Sequence, residues 1–158
     1  MLVILHSGQT GVERGAHRAA VVHGISVAGF MPLDKRDELG PVPADIAEGL
    51  TPCLDRGPRQ AVRANISLAS GVLVLVPDAG HPTKFTAIAA VMQAVRSARA
   101  PSLICDPQTN LDDIVQWVRK LPETSGSTRV FVTGLRATRW AEGEALARRV
   151  VGAIGMAE

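Results

Sequence analysis

Aromatic residues are the scarcest class in this chain of 158 residues: there is no tyrosine, and three phenylalanines and two tryptophans make up 3% in all. Single-stranded nucleic acids are held largely by stacking bases on aromatic rings, so that partner is not expected. Net charge is small, +2 at neutral pH from 17 Lys and Arg against 15 Asp and Glu. So even a balance leaves no basic nucleic-acid footprint and no charged tail. Cysteine is rare too. Cys53 and Cys105 have no CxxC spacing, which argues against a disulfide framework and a thiolate zinc site and for free, reduced thiols. The histidines His6, His17, His23 and His81 form no HxH or HxxxH pair, so no metal site is expected. His17 and His23 read as surface or capping residues. There is no GxSxG elbow. No apolar run approaches the ~18 residues of a membrane span. The start, Met1 to His6, has neither the basic region nor the apolar length of a signal peptide. A cytoplasmic protein away from membranes is the expectation.

What remains is an ordinary globular composition, 46% hydrophobic and 20% charged, at a length suited to a single domain over residues 1–158. Short apolar runs alternate with helical patterns. Strands are expected at Leu2–His6, Ile25–Gly29, Gly71–Val76, Ser102–Cys105 and Arg129–Thr133. Helices are expected at Val12–His23, closed by Gly24, then Pro58–Ala69, Lys84–Ala98, Leu111–Leu121 and about Trp140–Ile154. The run GVLVLV is continuous and apolar, as in a parallel strand buried on both faces. Strands alternating with helices predict an α/β, Rossmann-like three-layer sandwich: a mostly parallel sheet of about five strands with helices on both faces. Residues 30–57 break the pattern with four prolines and the charged run Asp34-Lys35-Arg36-Asp37-Glu38. A loop this long is either functional or a solvated excursion with a short helix near Ala44–Gly49.

Ligands of open parallel sheets bind at the carboxyl ends of the strands, so the loops after strands carry the chemistry. Four are informative. His6-Ser7-Gly8-Gln9-Thr10-Gly11-Val12-Glu13-Arg14 is strand, glycine turn and helix start, where free N–H groups and hydroxyls suit an anion. It is neither GxGxxG nor a Walker A loop. The Pro-rich loop offers Lys35 and Arg36, as cations for an anion or as a solvated patch. Pro77–Thr86 offers Gly80, Thr83 and Thr86, as phosphate donors or helix caps. Gly134-Leu135-Arg136-Ala137-Thr138 offers a guanidinium fork and a hydroxyl. Three loops presenting glycine, hydroxyl and cation converge on a phosphate-bearing ligand. Glu13 is the best-placed carboxylate, for a ribose or simply for the helix dipole.

Together these loops resemble the putative molybdenum carrier family, a circularly permuted branch of the LOG (lysine-decarboxylase-like) Rossmann superfamily. The family's SGGQTGVDR-type opening is similar to His6 through Arg14. Its GWxPKGRRAEDGPIP-type loop is similar to Gly29 through Pro43, its Asn to Asn65, its GGTxLT-type turn in part to Thr83 and Thr86, and its GPRxS turn to Gly134–Thr138. The match runs in the same order along nearly the whole chain. Departures are Ser7 and His6 in the first motif, Glu13 for Asp, and His81-Pro82 in place of two glycines, where proline removes an N–H.

The resemblance implies a nucleotide or molybdenum cofactor (pterin nucleotide) ligand across the glycine turns, and a homo-oligomer, dimer or tetramer. The leading expectation is thus a binding protein for a phosphorylated small molecule. Ser7, Gly8, Gln9, Thr10 and Gly11 would hold the phosphate, and Arg136 and Thr138 a second anionic group. Lys35 or Arg36 would close from the long loop, and Asn65 would bond a base or sugar edge or tie down its own loop. The LOG hydrolytic PGGxGTxxE motif is missing. The alternative is a nucleotide N-glycosidase using Glu13 or Glu38. A third reading is an interaction module whose loops are only caps.

Overall fold

A computed structural model describes residues 1–158. The chain runs β1 (Leu2–Leu5), α1 (Val12–Val22), β2 (Ser26–Ala28), β3 (Phe30–Met31), β4 (Arg36–Asp37), β5 (Gly40–Pro41), α2 (Ala44–Ala47), β6 (Thr51–Pro52) and α3 (Pro58–Leu68). It continues through β7 (Gly71–Leu75), a 3-10 turn at Pro82–Lys84, α4 (Thr86–Ala98), β8 (Ser102–Cys105), α5 (Leu111–Arg119), β9 (Thr128–Gly134) and α6 (Gly143–Met156). The main sheet has five strands in the order β2-β1-β9-β7-β8, and every neighbouring pair is parallel. No helix is long and apolar enough to cross a membrane.

That order dictates the layers. Right-handed crossovers place helices on opposite faces when the chain moves in opposite directions along a sheet. The steps β1 to β2 and β8 to β9 run one way, so α1 and α5 share a face, and α6 packs against both. The steps β2 to β7 and β7 to β8 run the other way, so α3 and α4 pack together on the second face. A core of 31 buried residues fills both interfaces. Strand β7, inside the sheet between β9 and β8, is buried along its whole length, as its unbroken apolar run requires. The α1–α6 crossing is tight at Gly15, where a Cβ would lie 2.3 Å from the Glu144 carbonyl.

The α/β class and the sheet of five strands are as the sequence predicts. The differences are local. The helix expected from Lys84 begins at Thr86, because Phe85 is extended (φ −99°, ψ 129°) and separates it from the 3-10 turn. The last helix begins at Gly143, since Arg139 and Trp140 donate to the Arg136 carbonyl and form a turn first. Residues 30–57 are not structureless. β3 pairs with β6, β4 pairs with β5 as a hairpin, and α2 lies where a short helix is expected.

Candidate functional site

The carboxyl ends of β1, β9 and β7 meet at the centre of the sheet, because the chain leaves β1 in one direction and β7 in the other. The turn after β1 is built on glycine. Gly11 has φ 80° and ψ −126°, and a Cβ there would lie 2.5 Å from the Leu135 carbonyl and 2.8 Å from the Ala137 nitrogen. This glycine lets the β1 and β9 turns touch, and Val12 N–H and Ala137 N–H bond across the contact to Leu135 O and Thr10 Oγ1. Gly11→Ala is expected to lower stability by about 2 kcal/mol through backbone strain, measured by urea unfolding. A loss below ~0.5 kcal/mol would mean that the turns relax apart at little cost.

The N–H groups of Gln9, Thr10 and Gly11 donate to no protein acceptor. They sit where α1 begins, at the positive end of its dipole. Gln9 Nε2 bonds the Ser7 and Arg36 carbonyls. Gly8 N–H is committed to His6 Nδ1 at 2.9 Å.

Ser7 is a correction to the sequence reading. Its N–H and its hydroxyl both donate to Glu13 Oε1 at 2.5 Å, and Thr133 Oγ1 donates to Glu13 Oε2 at 3.3 Å. Burial pushes the Glu13 carboxyl above its usual range, against the opposing effect of those bonds. Glu13 is buried, with its carboxylate engaged by Ser7 and Thr133. Beside it, buried His6 meets His17 at 3.0 Å, Nε2 to Nδ1. Burial first, then the His17 and Arg14 charges, push the His6 imidazole down to about 3.

Glu38 is where the two turns meet. Its carboxylate accepts from the hydroxyls of Thr10 and Thr138, from Thr138 N–H at 3.3 Å, and lies 3.3 Å from Arg136 Nε. Burial works against its charge, but the bonds from Thr10 and Thr138 and the Arg136 cation outweigh it and hold the carboxyl below the usual range. Glu38 therefore joins the two turns that carry Thr10, Arg136 and Thr138.

The other expected residues are placed apart. Asn65 is fully buried. Its amide accepts from Phe30 N–H at 2.8 Å and donates to the Phe30 and Ala61 carbonyls at 2.9 and 3.0 Å. Of its two readings, the one its bonds serve is tying down the start of the long loop. Gly29 makes that clamp fit: at φ 130° a Cβ would lie 2.3 Å from the His6 carbonyl. Lys35 and Arg36 are exposed on the hairpin side of the loop. Gly80 N–H bonds Asp78 at 2.8 Å, and Thr83 and Thr86 are exposed without capping α4. Their loop lines an open depression of about 610 Å³ and leans towards β8 through an Ala79 N–H bond to Asp106 at 2.8 Å. Gly134 is a packing residue, since a Cβ would lie 2.4 Å from the Leu75 carbonyl.

Sequence reasoning misses Arg14 and Asp37. They form an ion pair at 2.5 Å with side chains only 10% and 2% exposed, and Arg14 also donates to the Gly8 carbonyl at 3.2 Å. The signal is there in an arginine on the buried face of α1, but its partner lies 23 positions on.

A profile of the Circularly permutated YpsA SLOG family matches residues 4–154. A comparison with curated proteins returns no match. A crystal structure from Syntrophus aciditrophicus SB, named "Putative molybdenum carrier protein", is similar at a TM-score of 0.77 and 19% identity. It covers 96% of this chain and 93% of its own. At that identity the likeness is one of fold.

Proposed function

The chain belongs to the Circularly permutated YpsA SLOG family, and on that premise we propose that it is a binding protein for a phosphorylated small molecule, a nucleotide or a pterin nucleotide. One observation carries the reading: three successive N–H groups, on Gln9, Thr10 and Gly11, have no protein acceptor at the start of α1. They lie beside the donors of Thr10, Thr138 and Arg136. Such groups stabilise a phosphate through charge-assisted hydrogen bonds. The similar structure from Syntrophus is named for molybdenum. The donors here are N–H groups, hydroxyls and a guanidinium, so a molybdenum cofactor would be held by its phosphate rather than by its metal.

The reading takes residues 1–158 as one ligand-binding unit with the 30–57 segment over its site. It places the protein in the cytoplasm as a homo-oligomer. Arg36, whose carbonyl accepts from Gln9 Nε2, and Lys35 beside it would add positive charge from the hairpin side. The N-glycosidase alternative, with Glu13 or Glu38 as its carboxylate, is less supported, because Glu13 is buried on Ser7 and Thr133 and Glu38 is engaged by Thr10, Thr138 and Arg136.

Native mass spectrometry of gently purified protein, followed by denaturing release, tests for a carried nucleotide or pterin. Calorimetric titration with AMP then tests the residues. Arg136→Ala is expected to weaken AMP binding by at least about 1.5 kcal/mol, on the order of tenfold. Unchanged affinity in the folded variant would remove Arg136 from the site.

A further inference from the structure

We propose that Glu38 is an internal stand-in for the ligand's anionic group, seated in the phosphate site until a ligand displaces it. The proposal rests on the phosphate-binding reading above. Both carboxylate oxygens are used. Oε1 accepts from the Thr10 hydroxyl and Thr138 N–H, and Oε2 accepts from the Thr138 hydroxyl and faces Arg136 Nε. Two hydroxyls, a backbone N–H and a guanidinium are the donors that a phosphate oxygen would take. The Glu38 side chain is 9% exposed while that of Arg136 is 53% exposed, so the seat opens to solvent on the arginine side.

Glu38 reaches this seat from a separate device. It lies at the turn of the β4–β5 hairpin, which has two residues in each strand and does not join the main sheet. A hairpin this small has little stability of its own. It is anchored one residue earlier by the buried Arg14–Asp37 pair and by Gln9 on the Arg36 carbonyl. Those anchors do not involve the seat; the tip's other ties are the Leu39 and Gly40 N–H bonds to Asp37 Oδ1 at 2.7 and 3.0 Å, and when these open the tip leaves while its base stays on Arg14. Leu39, next to Glu38, is already 74% exposed, and moving the tip outward uncovers little apolar surface. A phosphate and the Glu38 carboxylate cannot share these donors, because like charges at such range disfavour each other. The two states are therefore exclusive. Ligand affinity is lowered by the fraction of time that Glu38 holds the seat.

Wild type, Glu38→Ala and Glu38→Gln are each titrated with AMP by calorimetry. Hydrogen exchange is followed at the Gly40 amide, which donates to Asp37 Oδ1 at 3.0 Å and closes the hairpin tip. Glu38→Ala is expected to bind AMP at least tenfold tighter than wild type, with Glu38→Gln in between. AMP is expected to speed Gly40 exchange in wild type, the reverse of the usual protection by a ligand. If wild type binds AMP and both variants bind it equally or more weakly, Glu38 is a fixed strut or a ligand contact. The stand-in role is then overturned while the phosphate site survives. If neither wild type nor either variant binds AMP, the phosphate site itself fails and the stand-in role with it. If Glu38→Ala does not fold, Glu38→Gln alone decides by the same comparison.

Discussion

Glu13→Ala is expected to lower the stability of the protein by about 3 kcal/mol, because it leaves three buried donors without a partner. These are the Ser7 N–H, the Ser7 hydroxyl and the Thr133 hydroxyl, and Ser7 and Thr133 are each 2% exposed. Each unmet buried group costs about 1–3 kcal/mol, and the two hydroxyls recover part of that by rotating to other acceptors. Glu13→Gln keeps the size and one acceptor oxygen for both Ser7 bonds, so its expected cost is about 1 kcal/mol. Urea unfolding followed by tryptophan fluorescence measures both. Wild-type stability in Glu13→Ala would show that Ser7 and Thr133 find other partners, and that Glu13 is not what turns Ser7 away from the ligand side.

Acid is expected to destabilise the protein through His6. Its folded pKa of about 3 lies below the ordinary 6.5. Between those values the unfolded chain binds a proton that the folded chain refuses. Stability is therefore highest above pH 6.5, falls as pH drops through that value, and stops falling on this account below about 3. From pH 7.5 to 5 the expected loss is about 2 kcal/mol, and over the whole window on the order of 4–5 kcal/mol.

The physical cause is visible in the bonds. Gly8 N–H occupies His6 Nδ1, so the ring proton sits on Nε2 facing His17. A second proton has no acceptor to meet. His17 is also lowered by burial, with Asp45 opposing, and acts in the same direction. Glu13 acts oppositely: its raised carboxyl favours the folded state as pH falls towards the ordinary carboxylate value. Denaturation at pH 7.5, 6 and 5, with nitrogen chemical shifts of the His6 ring, separates these effects. A His6 ring that titrates near 6.5 in the folded protein would overturn the prediction.

Much of the fold is legible along the chain. The β7 run is continuous and apolar because both its faces are covered, and a sequence records that directly. Gly8 and Gly11 after β1, and the Gly134–Thr138 turn after β9, mark strand ends followed by helices, so they also mark the ligand end of a parallel sheet. The organisation of residues 30–57 is less legible, because pairs such as Phe30 with Thr51 are set by strands of two residues each. Strands so short have no periodicity to read.

Composition, apolar periodicity and glycine placement are enough to specify the α/β class, the order along the chain of the main-sheet strands and their helices, and the loops where chemistry belongs. These signals are local, spanning one strand or one turn. Which donors in those loops are free depends on contacts made across the sheet. Glu38 meets Thr138 across 100 positions and Thr10 across 28. Thr133 meets Glu13 across 120. In the sequence, Glu38 is one charge in a run of five charged residues, and Ser7 is a hydroxyl beside a glycine. Strand β9 enters the sheet next to β1 only once the chain has folded. That neighbour relation brings Thr133 onto Glu13 and gathers Thr10, Arg136 and Thr138 around a single carboxylate.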